Sequence, residues 1–189
     1  MIKKEKVINM AKYLICSDVH GDAVSMKKVL DFFNEEKCDK ILMLGDLLYH
    51  GPRNDLPSGY APKEVIKMVN PLKNKIIMVR GNCEAEVDQM VLDFHIYKTK
   101  HLVIDGHNFY LEHGHHLVRN NPKFKKGDIV LSGHTHVSLC EEENGVYFIN
   151  PGSTSIPKDK IGKEFMVYEN GIITLYTLDY KKVNSWKIF

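Results

Sequence analysis

Lys12-Tyr-Leu-Ile-Cys-Ser-Asp-Val-His-Gly21 decides how this chain folds. A short apolar run stops abruptly at Ser17 and Asp18, and Gly21 supplies a sharp exit. Ala23, Met26, Leu30 and Phe33 then recur at helical spacing on one face, with Asp22 or Ser25 available as the cap. The same unit returns twice. Lys40-Ile-Leu-Met-Leu44 ends in Gly45-Asp46. After the Pro/Gly-containing stretch 47–61, a helix opens at Pro62 with Val65, Met68, Val69 and Leu72 inward. Asn74-Lys-Ile-Ile-Met-Val79 ends in Arg80-Gly-Asn-Cys-Glu84 and precedes a helix expected to bury Val87, Met90, Val91 and Phe94. Three strand–loop–helix units in a row predict a parallel sheet with helices packed on it.

Past residue 100 the pattern turns β-rich and largely antiparallel. His101-Leu-Val-Ile104 and Phe109-Tyr-Leu111 flank Asp105-Gly106-His107-Asn108, a hairpin signal, and the second strand runs into Glu112-His-Gly-His-His116. Asp128-Ile-Val-Leu131 reads as a buried strand leading to Ser132-Gly-His-Thr-His136. Val146-Tyr-Phe-Ile149 leads to Asn150-Pro-Gly-Ser153. Phe165-Met-Val-Tyr168 and Ile172-Ile-Thr-Leu-Tyr-Thr177 pair across Glu169-Asn-Gly171. Two sheets stacked face to face, helices outside, would bury both sets of strands. Residues 178–189, which hold the only tryptophan, are expected either to cover a sheet edge or to mediate self-association.

The 189 residues show no composition break, so one domain over 1–189 is expected, with residues 1–9 a disordered extension. A net charge of +2 with acids and bases mixed gives no support to a nucleic-acid-coating or membrane-surface protein. No apolar run reaches the ~18 residues of a membrane span, and the N-terminus lacks the apolar core of a signal peptide. Cys16, Cys38, Cys83 and Cys140 show no paired spacing, which fits a reduced, cytoplasmic setting rather than a disulfide framework or structural zinc site.

The chemistry gathers where the strands stop. His134 and His136 stand two apart, so in extended backbone both face one side. Alone they would be a polar turn. Asp18, His20, Asp46, Asn82 and His113 also follow apolar runs, most beside a glycine, and ligand sites in α/β sheets gather at the carboxyl ends of strands. Carboxylate, imidazole and amide oxygen without thiolate suit a divalent first-row metal: Mn2+ first, with Zn2+, Fe2+, Co2+ or Ni2+ as alternatives. Seven such groups exceed one tetrahedral ion and suit two ions sharing a carboxylate, about 3.5–4 Å apart.

Asp18-x-His20, Gly45-Asp46, Gly81-Asn82-Cys83-Glu84, His113 and Gly133-His134-x-His136 together resemble the ordered motif series of calcineurin-like metallophosphoesterases. His50-Gly-Pro-Arg-Asn54, Gly59-Tyr-Ala-Pro62, Glu86-Val-Asp-Gln-Met90 and Asn150-Pro-Gly-Ser153 extend the resemblance toward that family's small bacterial phosphodiesterases, over about residues 12 to 157. The resemblance implies a four-layer α/β/β/α sandwich of two mixed sheets. It implies that Asp18, His20 and His136 hold one metal, that Asn82, His113 and His134 hold the other, and that Asp46 bridges both. The choice of His113 over His115 and His116 rests on family position alone.

The expected activity is therefore hydrolysis of small-molecule phosphodiesters by a metal-activated water. Asp46, Asn82, Cys83 and His113 form the expected catalytic group, and Arg53 and Cys83 the substrate contacts. Guanidinium binds phosphate oxygens bidentately, which singles out Arg53. Cys83 departs from the family, where a histidine usually follows the Gly-Asn pair. A thiol of ordinary pKa ~8.5 is a poorer proton donor near neutrality than imidazolium, so good leaving groups should be preferred. The alternatives are a non-catalytic protein-interaction scaffold on the same fold, and a phosphomonoesterase or nuclease using the same site. Neither a specific nucleic-acid partner nor a membrane is expected, and homo-oligomer formation stays open.

Overall fold

β1 (Tyr13–Cys16), β2 (Lys40–Met43) and β3 (Ile76–Val79) are the three apolar runs of the first half, and they pair in parallel as their spacing predicts. The computed structural model describes residues 11–189, so the expected extension at 1–9 lies outside the described residues. Helix α1 (Ala23–Glu35) starts at Asp22, whose carboxylate accepts from Ser25 N at 3.0 Å, and it buries Met26, Val29, Leu30, Phe32 and Phe33. Helix α2 (Pro62–Val69) has proline at its first turn and buries Val65 and Val69.

Helix α3 (Glu86–Val91) corrects the expectation for its apolar face. Val87, Met90 and Val91 are exposed, Met90 by 83%, and Asp88 is the buried residue. The helix is too short to present a stripe. Its inward turn is set by Asp88, which caps the amide of Ala85 at 2.9 Å, while Phe94 reaches the core from the segment beyond.

The remaining described strands are β4 (Ile96–Tyr97), β5 (Lys100–Ile104), β6 (His107–Leu111), β7 (Ile129–Leu131), β8 (Ser138–Glu143), β9 (Val146–Pro151), β10 (Glu164–Glu169), β11 (Ile172–Thr177) and β12 (Lys182–Lys187). One sheet has the order β12-β11-β10-β1-β2-β3-β4 and the other β5-β6-β7-β9-β8. The β5–β6 hairpin is tighter than expected: only Asp105 (φ 51°) and Gly106 (φ 83°) form its loop, a geometry with φ positive at both central residues. Asn170-Gly171 repeats that turn between β10 and β11. The tail adds β12 as an edge strand on β11, with Trp186 packed inward.

Both sheets are mixed. β6–β7 and β7–β9 are parallel within an otherwise antiparallel half. One apolar layer lies between the helices and the first sheet, joining Met26, Phe32 and Val65 to Leu14, Met43 and Phe165. A second lies between the sheets, joining Ile15, Leu42 and Val79 to Phe109, Leu131 and Ile149. On the outer face of the second sheet, Phe124 and Leu117 pack on Val130 and Phe148; this cover is the turn-rich segment 112–128 rather than a helix. The two stacked mixed sheets expected from the sequence are present, with helices on the first sheet and turns in place of a helical layer on the second.

Candidate metal centre

The parallel strands deliver their ends to one place. Asp18 N donates to Gly45 O (3.1 Å), His20 N to Asp46 O (2.8 Å) and Gly133 N to His113 O (2.8 Å), so the turns after β1, β2, β6 and β7 are laced together. Cys83 N donates to Asp46 Oδ1 (2.8 Å) and His134 N to Asp18 Oδ2 (2.9 Å), which brings in β3 and ties the two sheets. Asp18 (φ 54°), His20 (48°), Asp46 (55°), His134 (69°) and His136 (59°) all occupy the left-handed backbone region. Side chains other than glycine enter that region at about 1 kcal/mol or more each, and Asn, Asp and His enter it most readily.

The histidine tautomers follow from their backbone partners. Nδ1 of His20 donates to Tyr49 O (2.8 Å), Nδ1 of His113 to Leu44 O (2.6 Å) and Nδ1 of His136 to Ile156 O (2.6 Å). Each ring therefore turns Nε2 toward the centre, the atom that would give its lone pair to a cation once that cation displaced the proton. There, His136 Nε2 lies 3.2 Å from Asp18 Oδ1, and His20 Nε2 lies 3.6 Å from the same oxygen. His113 Nε2 lies 3.4 Å from Asp46 Oδ2 and 3.1 Å from Asn82 Oδ1. The His20 and His136 Nε2 atoms are only 3.3 Å apart. Asp18 Oδ1 is buried and has no hydrogen-bond partner. Carboxylate oxygens and Nε2 atoms converging in a buried site fit a cation between them.

The electrostatics make the same demand. Burial alone would raise the Asp18 carboxyl, yet the His136 and His20 imidazoles hold it well below the usual carboxylate range. Asp46 is lowered against burial by His113. His113 is pushed up to about 9: burial opposes its charge, but Asp46 and Asp18 outweigh burial. His20 moves upward for the same reasons, through Asp18. Two buried carboxylates therefore draw positive charge into the site.

Three ligand groups emerge, each within 4.8 Å: Asp18–His20–His136, Asp18–Asp46–His113 and His20–Asp46–Cys83. Asp18 as well as Asp46 is shared between groups. His134 stands at the edge; its half-buried ring is 5.2 Å from that of His113, and its pKa is lowered by burial and by His113. Asn82 Nδ2 donates to Cys83 Sγ at 3.3 Å, which leaves Oδ1 toward His113. The Cys83 thiol is pushed up to about 12 by burial and Asp46, so it is protonated at neutral pH. Arg53 lines the same 430 Å3 cavity as Asp46, Asn82 and Cys83. His115 lies farther out, its ring 5.5 Å from that of His113, and His116 stacks beyond it.

Sequence reasoning left several residues without a role. Buried Glu84 accepts from the amides of Asp46 (2.9 Å), Leu47 (2.7 Å) and Gly81, which fixes the turns after β2 and β3 against one another. Ser153 Oγ (2.7 Å) and Ser155 Oγ (3.0 Å) donate to Asp18 O, and Asn150 Nδ2 donates to Gly133 O (2.7 Å). The signal available was the acid directly after Gly81-Asn-Cys83 and the polar run after Asn150-Pro-Gly152.

A two-sheet sandwich with acids, imidazoles and an amide at its strand ends defines a phosphoesterase class. The calcineurin-like phosphoesterase superfamily domain matches residues 11–170, and the chain belongs to that superfamily. Phosphodiesterase YfcE of Escherichia coli strain K12 is 36% identical over 176 residues, covering 92% of this chain and 96% of that protein. The solved structure of YfcE, described as an E. coli phosphoesterase, superposes with a TM-score of 0.90 at 35% identity, covering 94% of this chain and 100% of that one. Phosphodiesterase MJ0936 of Methanocaldococcus jannaschii is 28% identical over 177 residues, 89% of this chain and 92% of its own. Vps29 of Entamoeba histolytica, solved with zinc, shares the fold at 20% identity and a TM-score of 0.59, covering 94% and 99% of the two chains.

Proposed function

We propose that this protein is a metal-dependent phosphodiesterase acting on small phosphodiesters in a reducing, cytoplasmic setting. The observation that carries the reading is Asp18 Oδ1, buried without a hydrogen-bond partner among Nε2 atoms whose rings are oriented from behind by backbone carbonyls. Asp18, His20 and His136 would hold one divalent cation, Asn82, His113 and His134 a second, with Asp46 between them; Mn2+ is the first candidate. Cations bound there would supply a water nucleophile of lowered pKa and neutralising charge for the phosphate oxygens.

The chain's own residues do the rest. Arg53 binds substrate phosphate from the cavity wall with two parallel N–H bonds. The protonated Cys83 thiol donates toward the leaving oxygen, weakly, so chemistry favours leaving groups that need little proton assistance. Glu84 and the Ser153–Ser155 turn hold the ligand turns in register. No side chain is asked to form a phosphoryl-enzyme. The phosphodiesterase names of the two curated relatives support the diester preference.

The test is hydrolysis of bis-p-nitrophenyl phosphate beside p-nitrophenyl phosphate, after chelation and again with Mn2+ restored, for the parent and Asp46→Asn. Mn2+-dependent diester cleavage lost in the variant is expected. Faster monoester cleavage would move the assignment to a phosphatase, and no cleavage of either by the metal-loaded protein would leave a scaffold.

A further inference from the structure

The cavity above the ligand cluster is lopsided in charge. Its floor is Asp46, Asn82, His134 and His136, and among the described residues Asp46 is the only acid that lines it. On its walls stand two cations, Arg53 and Lys158. Some surface cations are neutralised by acids, as Lys12 is by Glu36, Lys28 by Asp179, Lys163 by Asp22 and Arg119 by Glu141, at 2.7–2.9 Å, whereas the two on this cavity keep their charge for what enters it. Among the described residues neither Arg53 nor Lys158 has an ion-pair partner within 4.0 Å. Asp159, next in sequence to Lys158, is turned into the fold, where its carboxylate accepts from Ser138 N (3.1 Å) and Ile161 N (3.0 Å).

Both cations stand on backbone anchored to the ligand turns. Lys158 N donates to His136 O at 2.9 Å, and two residues earlier Ile156 O receives His136 Nδ1. Arg53 lies inside the turn that Asn54 Nδ2 closes by donating to His50 O (2.7 Å), and the preceding Tyr49 O receives His20 Nδ1. Pro52 and Pro157 stand directly before the two cations and restrict each approach. The cations thus belong to different ligand segments and share one cavity. Among the described residues no aromatic ring other than histidine lines it, so they offer nothing else on which an aromatic arm would stack.

Resting on the phosphodiesterase reading above, we infer that this cavity is a subsite for a phosphodiester one arm of which carries a second, anionic phosphate, with Lys158 as the specificity residue while Arg53 stays on the phosphate that is cleaved. A single diester brings one negative charge, which the floor is built to meet. Lys158, a further cation with no acid of its own, matches negative charge on the substrate beyond the phosphate that is cleaved.

The test compares two p-nitrophenyl phosphodiesters with Mn2+ present, alike in leaving group, one with a methyl arm and one with a 2-phosphonoethyl arm. The parent is expected to show at least a tenfold lower KM for the phosphonate-armed ester with similar kcat. Lys158→Ala should collapse the ratio of the two kcat/KM values toward one, Lys158→Arg should restore it, and Lys160→Ala, outside the cavity, should keep it. Metal-dependent cleavage of both esters with equal KM values, or a preference that survives Lys158→Ala, overturns the subsite and leaves the phosphodiesterase reading standing. Failure to cleave either ester overturns both.

Discussion

The carboxylate of Glu84 receives three amide protons at the junction of the turns that carry Asp46 and Asn82. Removing an acceptor from a buried donor costs about 1–3 kcal/mol, so Glu84→Ala is expected to lose at least ~3 kcal/mol in urea unfolding and to weaken Mn2+ binding in the same titration. Cys83→His should flatten the dependence of kcat on leaving-group pKa, by speeding poor leaving groups; an unchanged slope across a series of aryl phosphodiesters would remove Cys83 from the chemistry. Glu164 yields a pH prediction away from the ligands. Burial, and then the neighbouring Asp159, push its carboxyl up to about 8 from an ordinary 4.5. The folded protein keeps this proton while the unfolded chain has released it. The stability it confers is thus whole below pH 4.5 and lost as pH climbs to about 8. Glu164→Gln should therefore gain Tm over the parent progressively from pH 5 to 8, and a constant offset would refute it. At this scale the candidate ligands were readable because Asp, His and Asn recur at strand ends, whereas Glu84 and Lys158 are single residues with no periodicity to mark them.

Elements meet at the centre only because backbone comes very close to backbone. A Cβ on Gly81 would collide with the Asp46 carboxylate, and one on Gly45 would lie 2.7 Å from Gly81 Cα. Gly81→Ala is therefore expected to abolish Mn2+-dependent hydrolysis and lower Tm sharply. Gly106→Ala, whose Cβ would meet nothing within 4 Å, should cost only about 1 kcal/mol for its left-handed backbone and keep activity. The apolar strands β1 to β3 were legible from sequence because burial on both faces makes them continuous hydrophobic runs. β8, written Ser-Leu-Cys-Glu-Glu-Glu, and β12, written Lys-Val-Asn-Ser-Trp-Lys, were not. Both are edge strands with exposed residues, and charge on an edge hides the strand while protecting it from pairing with other chains. Helix α3 misled for the opposite reason: its apolar residues have helical spacing but face solvent.

For the molecule as a whole, two apolar layers hold the sheets and helices rigid while the strand ends carry left-handed turns and buried carboxylates that a cation would relieve. Binding at a hundredfold excess over Kd contributes about 2.7 kcal/mol, which for a chain of this size raises Tm by roughly 5–10 °C. Calorimetry with and without Mn2+ should show that shift, and Asp46→Asn should lose most of it; equal Tm values would argue against metal at this centre. The turns themselves have a consequence for descent. Asp and Asn both tolerate left-handed backbone, so a change from Asp to Asn at position 18 or 46 discards a charged ligand without disturbing the turn that carries it. A lineage can then shed catalysis in one step, inherit the sandwich intact and keep its surface for other employment. The return mutation is as short as the departure.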